Sequence, residues 1–533
     1  MTMMITGKSL LGGKTGGTGG AVFRAINPAT NETLEPDFHE ASVDEAKAAV
    51  EAARLAFAIY RKQPAALGAR LLETIAAEIE ALGNDLLQRC HAESGLPLAR
   101  LQGERARTCG QLRLFAQVVR EGSWVDARVD PALPDRQPLP RPDLRRMLIA
   151  LGPVVVFGSS NFPFAFSVAG GDTASALAAG CPVIVKAHRA HPGTSELVGR
   201  AIARAIEACG LPAGLFSLVH GGGATIGIEL VKHPAVCAVG FTGSHLAGRA
   251  LFDAAASRPH PIPVFAEMSS LNPTFLLPGA LRERGADLAQ GLLGSFTLGV
   301  GQFCTKPGLI FVRSGSEADK FIQDLAAAVK EASGAPMLTP GIHTAFGENR
   351  AKVLGLIGVN LVAESNTATT AAVNCGYPSV AETTAVNFQA HPELATEAFG
   401  PFTLIIKCES AAEMDACARA LDGQLTATLH GTPHDLGEAK ELIEQLEQKA
   451  GRLLVNGFPT GVEVSPAMNH GGPSPATTDA RFTSVGTAAL LRFARPLCYQ
   501  NFPADQLPPA LQDANPLGIM RLINGNLTRD AIG

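Results

Sequence analysis

The sequence predicts an α/β fold built on parallel sheets, and three observations carry that prediction. Short apolar runs alternate with helical stretches between residues 151 and 241. The same rhythm restarts near Ile262. The stretch before the first series is Ala-rich and helical in its apolar spacing. When each short strand is followed by a helix, the chain must cross over before the next strand, so strands pair parallel with helices on both faces.

Taken in order, residues 43–61 and 67–92 read as two amphipathic helices, and 98–120 as further helix. Residues 125–142 are polar, Pro-rich and extended, as an arm or hairpin leaving the domain would be. The first series places strands at 151–157, 182–185, 215–219 and 236–241, with helices at 169–179 and 194–209. The second places strands at Val264–Glu267, 274–277, 309–312, 402–407 and 453–456, with helices at 288–299 and 318–332. The tail, 504–533, is polar and is expected on the surface or against a partner subunit. Open parallel sheets bind ligands at the carboxyl ends of their strands.

A length of 533 residues implies two or three domains. With 46% hydrophobic and 17% charged residues, the composition excludes a disordered chain. A net charge of −5, no Lys/Arg run and a single Trp124 argue against a nucleic-acid surface. The ten cysteines form no CxxC pair and no zinc-spaced cluster, so no metal is expected. Residues 1–20 are Gly-rich, lack the apolar core of a signal peptide and read as a flexible lead-in. The expectation is a cytoplasmic chain with reduced cysteines. Residues 150–171 carry no charge, but Pro153, Asn161 and Pro163 break them into a strand, a turn and a helix start rather than a membrane span.

Several residues sit where chemistry could be done. Cys304 lies in Gly301-Gln302-Phe303-Cys304-Thr305, where the glycine lets a substrate approach closely. A cysteine in an apolar stretch is more often inert, and a nucleophile needs an accessible thiolate. Glu267 ends a strand, either as a solvated strand end or as a general base whose pKa a partly apolar pocket would raise. Asn161 follows the first strand, as a turn residue or as an amide donor to an oxyanion. Lys186 closes the second strand, and Gly243-Ser244 opens a helix whose free N–H groups suit phosphate. The GxGxxG fingerprint of dinucleotide-binding domains is missing from the sequence.

In combination these segments resemble the aldehyde dehydrogenase superfamily from about Asn27 to Phe502. The matching pieces occur in family order: Asn161-Phe162-Pro163, Lys186, Gly243-Ser244, Glu267 with Asn272-Pro273, Gly301-Gln302-Phe303-Cys304, and Glu397-Ala398-Phe399-Gly400-Pro401. Within it, 159–167 and 456–462 are most similar to the NADP-type branch that includes α-ketoglutarate semialdehyde (2,5-dioxopentanoate) dehydrogenases.

The resemblance implies an aldehyde-oxidising enzyme working through a cysteine thioester. Cys304 would be the nucleophile, Glu267 the base, and Asn161 with a backbone N–H the oxyanion hole. Lys186, with His188 and Arg189, would bind the adenosine ribose. Gly243 and Ser244 would lie near the pyrophosphate, and Glu397 with Phe399 near the nicotinamide ribose. Phe162, Phe166, Phe303 and Phe458 are expected along the aldehyde tunnel.

The implied architecture is a doubly wound cofactor domain (1–124 and 148–261), an α/β catalytic domain (262–470), and a β oligomerisation arm with the C-terminal tail (125–147 and 484–533). A strand at 488–493 would join the arm, and a homodimer or homotetramer is expected.

Three departures from the family stand out: Glu267-Met268-Ser269-Ser270 in place of Glu-Leu-Gly-Gly, His245 in place of Thr, and Arg189 where Glu is common. Arg189 could pair with a 2′-phosphate, so NADP is expected over NAD, with NAD still usable. A broad-specificity NADP-dependent aliphatic aldehyde dehydrogenase, a CoA-acylating dehydrogenase and a non-enzymatic relative are the rival readings. Glu267 argues against CoA acylation, because thiolysis needs no water-activating base.

Overall fold

The computed structural model describes residues 5–368 and 373–532, so residues 1–4 of the lead-in and Gly533 of the tail lie outside it. Two seven-stranded sheets organise the described residues. In the first, the parallel strands run in the order Val264–Glu267, Ala238–Thr242, Val154–Phe157, Val183–Lys186, Phe216–Val219. Helices cover both faces, which is why Val154–Phe157 and Val183–Lys186 are buried at every position.

The segment Val264–Glu267 thus forms the edge of the first sheet, not the start of the second section near Ile262. Its length and apolarity fit either sheet; only the pairing decides. The helix expected over 67–92 is two, Ala65–Ala81 and Gly83–Ser94, because Gly83 takes φ 60° at the junction. The lead-in is not loose over its described part. Leu10–Leu11 pairs antiparallel with Phe216–Val219, and Glu196 accepts hydrogen bonds from Thr6 N, Thr6 Oγ1 and Gly7 N. Two residues of strand leave almost no periodic signal.

The second sheet runs Asn360–Glu364, Ser379–Thr384, Phe402–Cys408, Leu309–Arg313, Thr274–Leu276, Gln424–His430, Ala450–Val455, with only the first of these antiparallel to its neighbour. Helices Pro278–Thr297 and Ser316–Glu331 pack on one face through Leu292, Phe296, Phe321 and Leu325, all buried.

A five-stranded arm sheet runs Ala494–Gln500, Leu144–Ala150, Arg128–Asp130, Arg521–Ile523, Asn526–Thr528. The strand expected at 488–493 is displaced: Thr487–Phe493 forms 3-10 turns, and the paired strand is Ala494–Gln500. The apolar run went into the core, where Ala489, Leu490 and Phe493 are buried, while a half-exposed run forms the sheet edge. The tail packs on its own arm: Leu507, Leu511 and Ile519 cluster with Val129. No helix among the described residues is long and apolar enough to cross a membrane.

In the first sheet the chain leaves the Val154–Phe157 strand for Val183–Lys186 on one side and later returns to Ala238–Thr242 on the other. That reversal is a topological switch point, where a crevice opens at the carboxyl ends of the strands. The loops that enter Leu309–Arg313, Phe402–Cys408 and Gln424–His430 of the second sheet face this crevice.

Candidate active site

A groove of about 780 Å³ lies between the two sheets. Its first-sheet wall holds Asn161, His188, Gly243, Ser244 and Glu267, and its second-sheet wall holds Cys304, Glu397 and Phe399. These residues span more than 200 sequence positions and meet only through the fold.

Cys304 is held by a strained loop. Gly299, Val300 and Gly301 all take positive φ, at 58°, 59° and 66°. For β-branched Val300 this is costly, so the surroundings must enforce it. Gly301 cannot be replaced: a Cβ there would lie 2.3 Å from the Gly400 carbonyl carbon. Asn272, itself at φ 48°, donates from Nδ2 to the carbonyls of Cys304 (2.8 Å) and Lys306 (3.0 Å). Its Oδ1 accepts from Ser270 and Thr426. The amide therefore pins the backbone just after the thiol.

The thiol faces a residue that the sequence did not single out. Cys304 Sγ lies 3.6 Å from His470 Nε2, and the same nitrogen lies 2.9 Å from Glu267 Oε1. Ser484 donates to Glu267 Oε2 at 2.6 Å. Both His470 and Ser484 come from the segment after the second sheet, which folds back on the edge of the first through Met268 N to Ala476 O.

Burial pushes the Glu267 carboxyl up, but the His470 imidazole and hydrogen bonds from His470, Ser484 and Cys304 outweigh it. The carboxyl is held below the usual range, contrary to the rise expected from an apolar pocket. Burial, then Glu267, push the Cys304 thiol well up. At rest the pair is a carboxylate beside a thiol, with an imidazole in contact with both.

Asn161 lies on the opposite side of the nucleophile loop. Its Nδ2 donates to Gln302 O at 3.0 Å, which leaves the second amide hydrogen free. Arg100 donates to the Asn161 carbonyl at 2.6 Å.

Along the groove, Ser244 caps the helix His245–Ala256 and accepts from Ala247 N, and Gly243 N donates to Glu267 O. At that amino terminus His245 N donates to Ser269 Oγ and Ala247 N to Ser244 Oγ, and the positive end of the helix dipole faces the groove, as an anion requires. Glu397 is raised by burial against the pull of Lys306. Lys306 was not foreseen. Its ammonium, pushed down to about 8 by burial, donates to Ala398 O and Phe402 O and so fixes the loop carrying Glu397 and Phe399.

Lys186 and Arg189 lie at the adjoining strand end, outside the groove lining. Burial, then Arg189, push Lys186 down to about 8. Arg189 pairs with Glu40 and covers the Phe23 ring at 4.7 Å. His188 stacks on His191 at 5.4 Å, and burial pushes it well below the usual imidazole range. A dinucleotide asks for a ribose anchor at each end and an N–H cradle between them. The Ser244 helix end and Glu397 line the groove, and Lys186 lies beside it at the adjoining strand end.

Three of the four phenylalanines converge. The Phe162 ring packs edge-on against Phe166 at 5.3 Å and Phe303 at 5.1 Å. Phe166 lies 6.4 Å from the His470 ring. None of these lines the groove, and the cluster meets the site through the Phe166–His470 contact. Phe458 does not join them. Its ring lies tilted against His430 at 4.7 Å and packs against Gly291 and the core of the second sheet.

The fold and this site define a dehydrogenase of aldehydes, and the chain belongs to the aldehyde dehydrogenase family, whose sequence pattern matches residues 15–485. It is an oxidoreductase of a family that uses NAD or NADP. The alpha-ketoglutaric semialdehyde dehydrogenase 2 of Azospirillum brasilense is 54% identical over 98% of this chain and 99% of its own length. The alpha-ketoglutaric semialdehyde dehydrogenase of Acinetobacter baylyi is 45% identical over 98% and 99%. Among solved structures, a betaine aldehyde dehydrogenase of Staphylococcus aureus in complex with NAD⁺ shares the fold at TM-score 0.80 and 20% identity, covering 95% of this chain and 99% of its own.

Proposed function

We propose that the chain oxidises 2,5-dioxopentanoate to 2-oxoglutarate with NADP⁺ as the preferred acceptor. The observation that carries the chemistry is the contact chain Cys304–His470–Glu267 at one end of a dinucleotide-sized groove. The substrate rests on the two relatives named for that semialdehyde, matched along nearly their whole length.

Cys304 Sγ attacks the aldehyde carbon, and its proton passes to Glu267, whose carboxylate also accepts from His470 Nε2, and from there to solvent before the next step. The free Asn161 amide hydrogen and the Cys304 backbone N–H hold the oxyanion, an interaction worth about 10²–10³ in rate. A nicotinamide held beside Glu397 and Phe399 would supply the hydride acceptor, and oxidation of the hemithioacetal leaves a thioester on Cys304. Glu267, ionised and oriented by Ser484 and His470, then removes a proton from the attacking water. Collapse releases the carboxylate and restores the thiol.

NADP⁺ preference rests on the cationic strand end formed by Lys186 and Arg189. Glu40 occupies part of the Arg189 fork, and the remaining donors suit a 2′-phosphate. The arm sheet leaves Ala494–Gln500 as an edge strand, which suits pairing with a second copy in a homodimer or homotetramer.

The test is kcat/KM for 2,5-dioxopentanoate against fatty and aromatic aldehydes with each cofactor, together with identification of the product. The reading expects 2,5-dioxopentanoate to rank first, NADP⁺ to exceed NAD⁺, and free 2-oxoglutarate to form without CoA. A higher rank for simple aldehydes would overturn the substrate.

A further inference from the structure

A substrate that ends in a carboxylate needs a cation at the far end of its tunnel. Two arginines, Arg100 and Arg107, cover the phenylalanine cluster, and a third, Arg452, lies within electrostatic range of Cys304. Arg100 and Arg452 donate to carbonyls, and each keeps one buried nitrogen without a partner among the described residues, Nη1 and Nε respectively. Arg100 lies between Phe162 and Phe303, at 5.1 and 4.9 Å from the ring centroids, and donates to Asn161 O. Arg452 donates to Pro459 O and Gly461 O. Arg107, on the helix Leu98–Glu121, covers the Phe166 ring at 5.3 Å. Its Nη1 is buried and has no hydrogen-bond partner among the described residues.

We propose that Arg107 binds the distal carboxylate of the substrate and so selects aldehydes that carry one. Contacts lead without a break from Arg107 to Phe166, from Phe166 to His470, and from His470 to Cys304. None of Arg107, Phe166 and His470 lines the cofactor groove, so this path lies on the substrate side of the thiol. An arginine fork matches a carboxylate in two parallel hydrogen bonds.

Burying a guanidinium donor without a partner is costly. Arg100 and Arg452 offset that cost through carbonyl bonds from their other nitrogens, whereas Arg107 makes no hydrogen bond among the described residues. The nearest competing carboxylate does not fill the gap. Glu104 exerts the strongest charge attraction on Arg107; its Oε1 accepts from Phe164 N and Ala165 N, its Oε2 is buried without a partner, and among the described residues no ion pair joins it to Arg107. Arg107 also feels Cys304 and Glu267, so the cation stands within electrostatic range of the reacting groups. Phe166 then serves as a platform that holds the guanidinium in place.

This assignment rests on the reading that the substrate is 2,5-dioxopentanoate. The experiment compares Arg107→Gln and Arg107→Lys with the wild type, using 2,5-dioxopentanoate and pentanal as substrates. The ratio of their kcat/KM values should fall about 10- to 100-fold in Arg107→Gln, mostly through KM, and recover in part in Arg107→Lys. Protection of Cys304 from iodoacetamide by 2-oxoglutarate, which needs no turnover, should weaken in parallel. An unchanged ratio in a folded Arg107→Gln overturns the clamp while leaving the substrate reading intact. Equal losses for both aldehydes, with a shifted pH profile of alkylation, make Arg107 a residue tuning the thiol and also overturn it. A wild type that prefers pentanal overturns the substrate reading and the clamp together.

Discussion

His470 Nε2 lies 2.9 Å from Glu267 Oε1, a contact between residues 203 positions apart that brings an imidazole against the thiol of Cys304. Glu267 is thereby tethered at both oxygens, by His470 and by Ser484. A tethered base is already oriented when the thioester forms.

His470 should therefore matter to rate far more than to folding. His470→Gln is expected to lower kcat about 100-fold, the scale of a lost acid–base or orienting contact, with the melting midpoint nearly unchanged. Stopped-flow measurement of the NADPH burst would show which half of the reaction slows. A kcat within about twofold of wild type would remove His470 from the mechanism.

The free enzyme should have a sluggish thiol. Burial and Glu267 disfavour the Cys304 thiolate, so the midpoint of alkylation should lie above pH of about 8.5, where an exposed thiol is half ionised. Removing a negative neighbour makes the thiolate easier to form, so Glu267→Gln should move the curve to lower pH. Iodoacetamide rates across pH check both. A curve shifted upward in the variant would mean that Glu267 activates the resting thiol.

Arg189→Glu should reverse cofactor choice. The substitution places a carboxylate where a 2′-phosphate is expected, and also beside Glu40. The NADP⁺/NAD⁺ ratio of kcat/KM should fall at least about tenfold, since a charge-assisted pair is worth about 1.5–3 kcal/mol. An unmoved ratio would mean that another group reads the phosphate.

Glu93 should carry stability. It is fully buried and accepts hydrogen bonds from Gly193 N, Thr194 N, Thr194 Oγ1 and Arg89 Nη2. It thus caps the helix Pro192–Ala208 from the neighbouring helix Gly83–Ser94. Glu93→Ala leaves these donors unpaired and should cost about 3 kcal/mol. Thermal or denaturant unfolding reads this, with kcat of the folded fraction preserved.

Much of the site was legible because its residues sit at boundaries. Asn161, Lys186, Gly243 and Glu267 each fall where an apolar strand meets a loop or helix start, a place that composition marks. His470 and Arg107 carry no such mark. One is a histidine among glycines and the other an arginine on a polar helix, and their meaning comes from neighbours far away in sequence. Phe458 shows the reverse limit: a phenylalanine in a Gly/Pro-rich loop can serve a tunnel or a core, and here it lies against Gly291. The rise predicted for the Glu267 carboxyl failed for the same reason, since burial was foreseeable and its hydrogen-bond partners were not.

The central claim is that a thioester forms on Cys304 and needs Glu267 for its hydrolysis. Intact-mass and peptide analysis of Glu267→Gln mixed with 2,5-dioxopentanoate and NADP⁺ tests it most directly. The account predicts about one NADPH per site in a burst, an acyl adduct on Cys304, and slow turnover thereafter. Full steady-state turnover with no adduct on Cys304 would contradict it.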